Sequence, residues 1–275
     1  MLKSSALSPL LRYAILTLLY MVLGTAKAAT MIDYNRAKDQ AFVVMSQNDS
    51  QKAIDLVIKM NTADDAMKIF MLMTQDLYWQ SKDLAAALLI GRAGIQFGLA
   101  EARQAQSKDP ARAYSLSSQA QILAYDLSSY CWHGWREEGI NIPAVFQVYG
   151  QDLAKTNLRL NLELRKGNLS MSHAWWLIGA HQLAIGQYER ARKGFVEATK
   201  FAMAAQTRET ELLLKGYLYL AEMLQEPDNS QLVQEFEFVL DALDESREGE
   251  FFRDQLETAH AVFGAPLASD DDSEG

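Results

Sequence analysis

Residues 175 to 198 read Trp-Trp-Leu-Ile-Gly-Ala-His-Gln-Leu-Ala-Ile-Gly-Gln-Tyr-Glu-Arg-Ala-Arg-Lys-Gly-Phe-Val-Glu-Ala. Two α-helices packed as a hairpin need small residues where their backbones approach and large ones where side chains interlock. Gly179 and Gly186, with Ala191 and Ala198, fill the first role, while Trp175, Ile178, Tyr188 and Phe195 fill the second. Their spacings put each set on one helical face. A single hairpin cannot bury its own face, so further hairpins are expected on either side of it.

Around that stretch the chain reads as helical throughout. Five prolines in 275 residues, abundant Ala, Leu and Gln and few β-branched runs favour helix. The periodicity predicts helices near 33–46, 50–60, 63–80, 83–104, 110–131, 143–166, 171–185, 188–205, 207–225, 230–244 and 249–263. Ser50 to Ile58 and Asp83 to Ala93 each read as the second helix of a hairpin, and their Ala53 and Ala87 lie 34 residues apart.

Residues 175–198 resemble the tetratricopeptide repeat, whose pattern runs W-x2-L-G-x2-Y and then A-x3-F. Trp175, Ile178, Gly179, Ala191 and Phe195 occupy it, with Gln182 where an aromatic is usual. The 34-residue separation of Ala53 and Ala87 is that repeat's period, and Leu213 to Glu222 carries a further Gly-x2-Tyr at Gly216 and Tyr219. The resemblance is closest in the one unit, partial in the second and loose elsewhere in 33–263. It implies an all-α, helical-hairpin repeat solenoid, irregular in the middle, with a concave groove lined by the first helix of each unit. A second resemblance covers the carboxyl half: the order of Trp-rich helix, repeat unit, Tyr-rich helix and Phe236-Glu-Phe-Val-Leu-Asp-Ala-Leu243 is similar to the periplasmic T-component of TRAP transporters. That family usually carries a lipobox cysteine, which this chain lacks.

Lys3 and Arg12 precede an apolar run from Tyr13 to Gly24, followed by Ala26-Lys27-Ala28, the pattern of a cleaved signal peptide. The run is shorter than the ~20 residues of a spanning helix. Residues 1–28 are therefore expected to be removed, leaving a repeat domain over 29–265 and an acidic, disordered tail over 266–275. Removal takes away three basic residues and no acidic one, moving the net charge from −9 to −12. Nucleic acid, which demands a basic patch, is an unexpected partner, and anionic membrane is disfavoured as well. Cys131 is the only cysteine, so stability rests on core burial rather than disulfides, as suits a bacterial periplasm. The sequons at Asn48 and Asn168 are also compatible with a eukaryotic secretory route.

The segment Tyr130-Cys-Trp-His-Gly-Trp-Arg-Glu-Glu-Gly-Ile-Asn-Ile-Pro143 leaves the helical pattern. Its Trp132 is expected to plug the stack, with Trp135 the more exposed of the two and Gly134 and Gly139 loosening the chain. Trp135 and Arg136 are residue types enriched at recognition hot spots. On the concave side, His173, Trp176, Gln182 and Tyr219 are the candidate ligand contacts. Cys131 and His133, two apart on a helix, point to different sides and make no nucleophile and base pair; Cys131 reads instead as a small buried hydrophobe. His133, His173, His181 and His260 show no metal-ligand spacing, and no phosphate-cradling or catalytic motif occurs. Neither catalysis nor a cofactor or metal is expected. The expected function is an exported, non-catalytic scaffold that binds a peptide, protein or envelope polymer in its groove. The alternative is a periplasmic solute-handling accessory of a transporter. A wide open groove favours the scaffold and a closed apolar passage favours the solute; oligomeric state is not readable from the sequence.

Overall fold

A computed structural model describes residues 28–47, 49–246 and 249–264. The predicted signal segment, save its last residue, and the acidic tail lie outside the described residues. These hold eleven α-helices and no strand: α1 Ala28–Met45, α2 Ser50–Met60, α3 Ala63–Trp79, α4 Leu84–Ala105, α5 Pro110–Tyr130, α6 Ala144–Glu163, α7 Asn168–Ala184, α8 Tyr188–Ala204, α9 Arg208–Gln225, α10 Ser230–Asp244 and α11 Gly249–Phe263. A short 3-10 turn, His133–Trp135, stands between α5 and α6. The chain is all-α.

Local chemistry sets many of the boundaries. Asp49, Thr62, Asp83 and Asp109 each accept a hydrogen bond from the backbone N–H three residues on, capping α2, α3, α4 and α5. Pro110 follows the last of these caps at the first helical position, where its missing N–H costs nothing. Three successive helices, α6, α7 and α8, end alike. Arg165, Gly186 and Gln206 adopt left-handed backbone with φ of 49°, 71° and 58°. The N–H of the next residue then reaches back five residues, as Lys166 to Asn161, Gln187 to Gln182 and Thr207 to Ala202.

Each helix packs on its successor, and alternate helices touch as well: α1 on α3, α2 on α4, α3 on α5, α5 on α7 and α9 on α11. In α4 the glycines at 91, 94 and 98 let Leu127, Leu123, Phe70 and Met67 from α5 and α3 press onto its backbone. This helix is long and apolar enough to cross a membrane; here that apolarity serves two packed flanks. Buried hydrophobics form two groups. One runs from Tyr34 to Cys131 and adds Leu153, while the other begins at Trp132 and extends to Ala259. Half-buried Trp79 packs against both. Helix α11 closes the second group by returning to the 3-10 turn.

Helices α7 and α8 make the closest approach at Gly179 and Gly194. A Cβ on Gly194 would lie 2.8 Å from the Gly179 Cα, and one on Gly179 would meet Phe195 at 2.7 Å. Ala191 and Ala198, both fully buried, continue this contact. Gly186 does not belong to it. No atom lies within 4 Å of where its Cβ would be, and its role is the left-handed turn ending α7. Gly194, which the sequence reading passed over, takes its place in the interface. Tyr149, expected in an aromatic core stripe, is 37% exposed and lies under the Arg92 guanidinium, 4.8 Å from its ring centre.

Candidate functional site

The segment between α5 and α6 is anchored rather than loose. Trp132 is fully buried and Trp135 is 7% exposed. The indole N–H of Trp132 donates to the Ala180 carbonyl at 2.9 Å, and that of Trp135 donates to the Ser129 carbonyl at 3.0 Å. Both tryptophans are therefore packing residues, and the expectation of an exposed Trp135 is corrected. Gly134 is buried too: a Cβ there would fall 2.3 Å from the Trp132 ring, so its smallness admits the tryptophan instead of loosening the chain. Arg136 is exposed in left-handed backbone, φ 48°. Beyond it, Glu137 accepts from Lys82 Nζ at 2.6 Å, tying the segment to the turn between α3 and α4.

Trp176 from α7 joins these two indoles. Ring centres are 4.9 Å apart for Trp132 and Trp135, 5.4 Å for Trp132 and Trp176, and 5.5 Å for Trp135 and Trp176. Tyr217 and Phe263 pack edge-on or tilted against Trp132 at about the same spacing. Such aromatic pairs add to plain area burial. Beside this cluster opens a narrow cleft with about 340 Å³ of empty space, its mouth included. It is lined by Trp135, His173, Trp176, Thr210, Leu213, Leu214, Phe252 and Gln255. Apart from the turn, every contributor comes from an alternate helix: α7, α9 or α11.

No carboxylate, lysine or arginine lines the cleft. Burial pushes His173 down to about 4, so its imidazole is neutral at pH 7. Two buried polar atoms on the lining have no protein hydrogen-bond partner among the described residues, the Trp176 indole Nε1 and Gln255 Oε1. The Gln255 Nε2 is engaged, donating to the Tyr217 hydroxyl at 2.9 Å.

Of the six candidate residues, Trp135, His173 and Trp176 meet at this cleft, and Arg136, Gln182 and Tyr219 do not. Gln182 lies three residues beyond Gly179, on the side of α7 turned to α8; its side-chain carbonyl is buried without a partner. Tyr219 is turned toward α10, where its hydroxyl donates to Glu235 at 3.5 Å. Thr210, Leu213, Leu214, Phe252 and Gln255 were missed. A signal for the last existed, because Phe252, Gln255, Leu256 and Ala259 form one helical stripe in which glutamine is the lone polar member.

Two other groups of reactive residues are structural. Ser128 and His181 are buried together, with the Ser128 hydroxyl 2.9 Å from His181 Nε2 and donating to the Gly150 carbonyl at 2.9 Å. Since the hydroxyl hydrogen is spent on Gly150, His181 must carry its proton on Nε2 and donate to Ser128. Burial holds His181 down at about 4. The pair clasps α5, α6 and α7 and neither member is open to substrate. Cys131, fully buried beside it, has its thiol pushed up to about 12 by burial and is no nucleophile at neutral pH. Outside these, Asp126 on α5 is half-buried, has no hydrogen-bond or ion-pair partner among the described residues, and is pushed up to about 7 by burial. Its neighbour Tyr125 faces His173 across 6.1 Å. Among the described residues no three His, Cys, Asp or Glu side chains gather as metal ligands.

Comparison of the chain with protein-family profiles, with curated proteins and with solved structures finds no match.

Proposed function

We propose that this protein is an exported, non-catalytic binding protein, built as a tetratricopeptide-like stack of helical hairpins, that holds a polypeptide partner along its inner face. Helix-lined grooves take extended or helical segments by seating individual side chains in pockets, and they need no titratable pair. The observation that carries the reading is the origin of the cleft wall: His173 and Trp176 on α7, Thr210 and Leu213 on α9, Phe252 and Gln255 on α11 all project from alternate helices toward one space. Tyr125 and Asp126 on α5 extend the same side. The packing of alternate helices on one another supports the hairpin-stack architecture.

A second reading, a solute-handling accessory of a transporter, is favoured by the cleft's narrowness and its neutral, mostly apolar wall. The two readings differ in what lies outside the cleft: a polypeptide must also lean on the surface around it, whereas a solute need not.

Selection of phage-displayed peptides on the purified chain tests the first reading. A recurring motif is expected. Its binding should weaken at least tenfold in Tyr125→Ala and His173→Ala, and should be unchanged in Phe238→Ala, which alters an exposed phenylalanine of α10. Failure to enrich any motif, or a motif lost only with Phe238→Ala, overturns the polypeptide reading.

A further inference from the structure

The three tryptophans at the cleft are not equivalent. Trp132 and Trp135 both satisfy their indole N–H with a backbone carbonyl, whereas the Trp176 N–H, on a side chain 5% exposed, has no protein acceptor among the described residues. Across the same cleft Gln255, 2% exposed, directs its amide nitrogen to Tyr217 and leaves its carbonyl oxygen without a protein donor. One buried donor and one buried acceptor thus share a small, otherwise apolar lining. Leaving such groups unpaired costs about 1–3 kcal/mol each, so the lining is selective for whatever pairs both at once.

The cleft also excludes. No charged side chain lines it. A cation or an anion entering would lose its hydration without a counter-charge. A purely apolar group would leave both polar atoms unpaired. The complement is a small neutral group that presents an acceptor and a donor side by side, flat enough to lie against the rings of Trp135, Trp176 and Phe252.

We infer that the cleft formed by Trp176, Gln255, Trp135 and Phe252 is a recognition pocket for a neutral carboxamide, whose oxygen accepts from the Trp176 indole and whose nitrogen donates to Gln255. This deepens the proposed function and rests on it for its place on the inner face. The carboxamide comes from one of two sources, the side chain of Asn or Gln in a bound polypeptide or a free small amide.

The Trp176 indole N–H resonance, identified by its loss in Trp176→Phe, reports the pocket directly in the full chain. Propionamide should move it downfield and saturably. Methyl propionate, which accepts but cannot donate, and propionate, which is charged, should bind at least tenfold more weakly. Gln255→Met, close in volume, should weaken propionamide at least tenfold, with Phe238→Ala matching the parent. N-acetylglutamine methylamide distinguishes the sources: binding at least tenfold tighter than propionamide identifies a polypeptide side chain, and equal or weaker binding identifies a free amide. The inference is overturned if the resonance does not respond, as when the pocket holds only water. It is equally overturned if methyl propionate matches propionamide or if a folded Gln255→Met responds like the parent. A successful peptide selection beside a silent indole would sink this inference alone; a responsive indole with no selected peptide would sink the polypeptide reading and leave the pocket to a solute.

Discussion

At the scale of single residues, the polar clasp and the aromatic plug are where small changes cost most. A Cβ on Gly150 would lie 2.4 Å from His181 Cε1 and 2.6 Å from Cys131 Cβ. Gly150→Ala therefore overpacks a site pinned on three helices and should destabilise by about 1–3 kcal/mol in urea unfolding. Ser128→Val should cost a similar ~1–3 kcal/mol by another route, leaving the Gly150 carbonyl and the His181 N–H buried and unpaired. Trp132→Ala removes a fully buried ring together with its bond to Ala180 and should cost about 3–5 kcal/mol. Trp135→Ala should also lower the melting temperature, since its indole is buried and bonded to Ser129. If Trp135→Ala melts like the parent, the segment is a surface loop and the anchoring described for it is wrong. These contacts were invisible in the sequence for a simple reason. Ser128, Gly150 and His181 lie 22 and 31 residues apart, and no local pattern announces that three helices will bring them together.

At the scale of elements, the same turn geometry recurs with different residues. Gly186 adopts its left-handed conformation freely, whereas Gln206 holds φ 58° with a side chain, exposed and without a hydrogen bond among the described residues. A non-glycine residue pays roughly 1–2 kcal/mol there, so Gln206→Gly should raise the stability by about 1 kcal/mol and Gly186→Ala should lower it by as much. At the hairpin contact, Gly194→Ala and Gly179→Leu should each destabilise by about 1–3 kcal/mol, because the partner atoms are the facing backbone and the Phe195 ring. Helix boundaries were legible to the extent that such chemistry was local. The starts of α2, α3, α5 and α10, where Asp49, Thr62, Asp109 and Asn229 accept from the first turn, were read at the residue where they occur. The end of α6 and the start of α7 were read three residues late, and there Gly167 makes no side-chain cap and Arg165 stands where glycine would have marked the stop. Trp135, His173 and Trp176 were legible as site candidates from type and helical face. Phe252 and Gln255 were not, because they reach the cleft only through the return of α11 to the middle of the chain.

For the whole molecule, three buried ionisable groups pull in opposite directions. His173 and His181 sit at about 4 in the folded protein against 6.5 when unfolded, so between those values the unfolded chain holds more protons and stability rises with pH. Asp126 sits at about 7 against its ordinary 3.8; there the folded protein holds the extra proton, and stability falls as pH rises across that interval. Two histidines outweigh one carboxyl up to pH ~6.5, and Asp126 alone acts from there to ~7. Urea unfolding should show stability climbing from pH ~4 to a maximum near 6.5, then declining slightly. Asp126→Asn should steepen the climb and abolish the decline, and His181→Gln should make the climb shallower. A parent curve that falls steadily across pH 4–6.5 would contradict the burial assigned to both histidines. The return of α11 to the 3-10 turn has a further consequence, one of time. Almost every other contact joins a helix to its neighbour or next neighbour, so each hairpin is free to form as soon as its own residues are together, within a short loop's search. Phe263 packing on Trp132 and His133, with ring centres 5.8 and 5.0 Å away, spans about 130 residues of chain. It is the one closure that must wait for nearly the whole polypeptide, and until it happens the wall bearing Gln255 is missing. Refolding followed by Trp fluorescence should show the tryptophan cluster maturing after the bulk of the helix has formed, and the cleft becoming competent last.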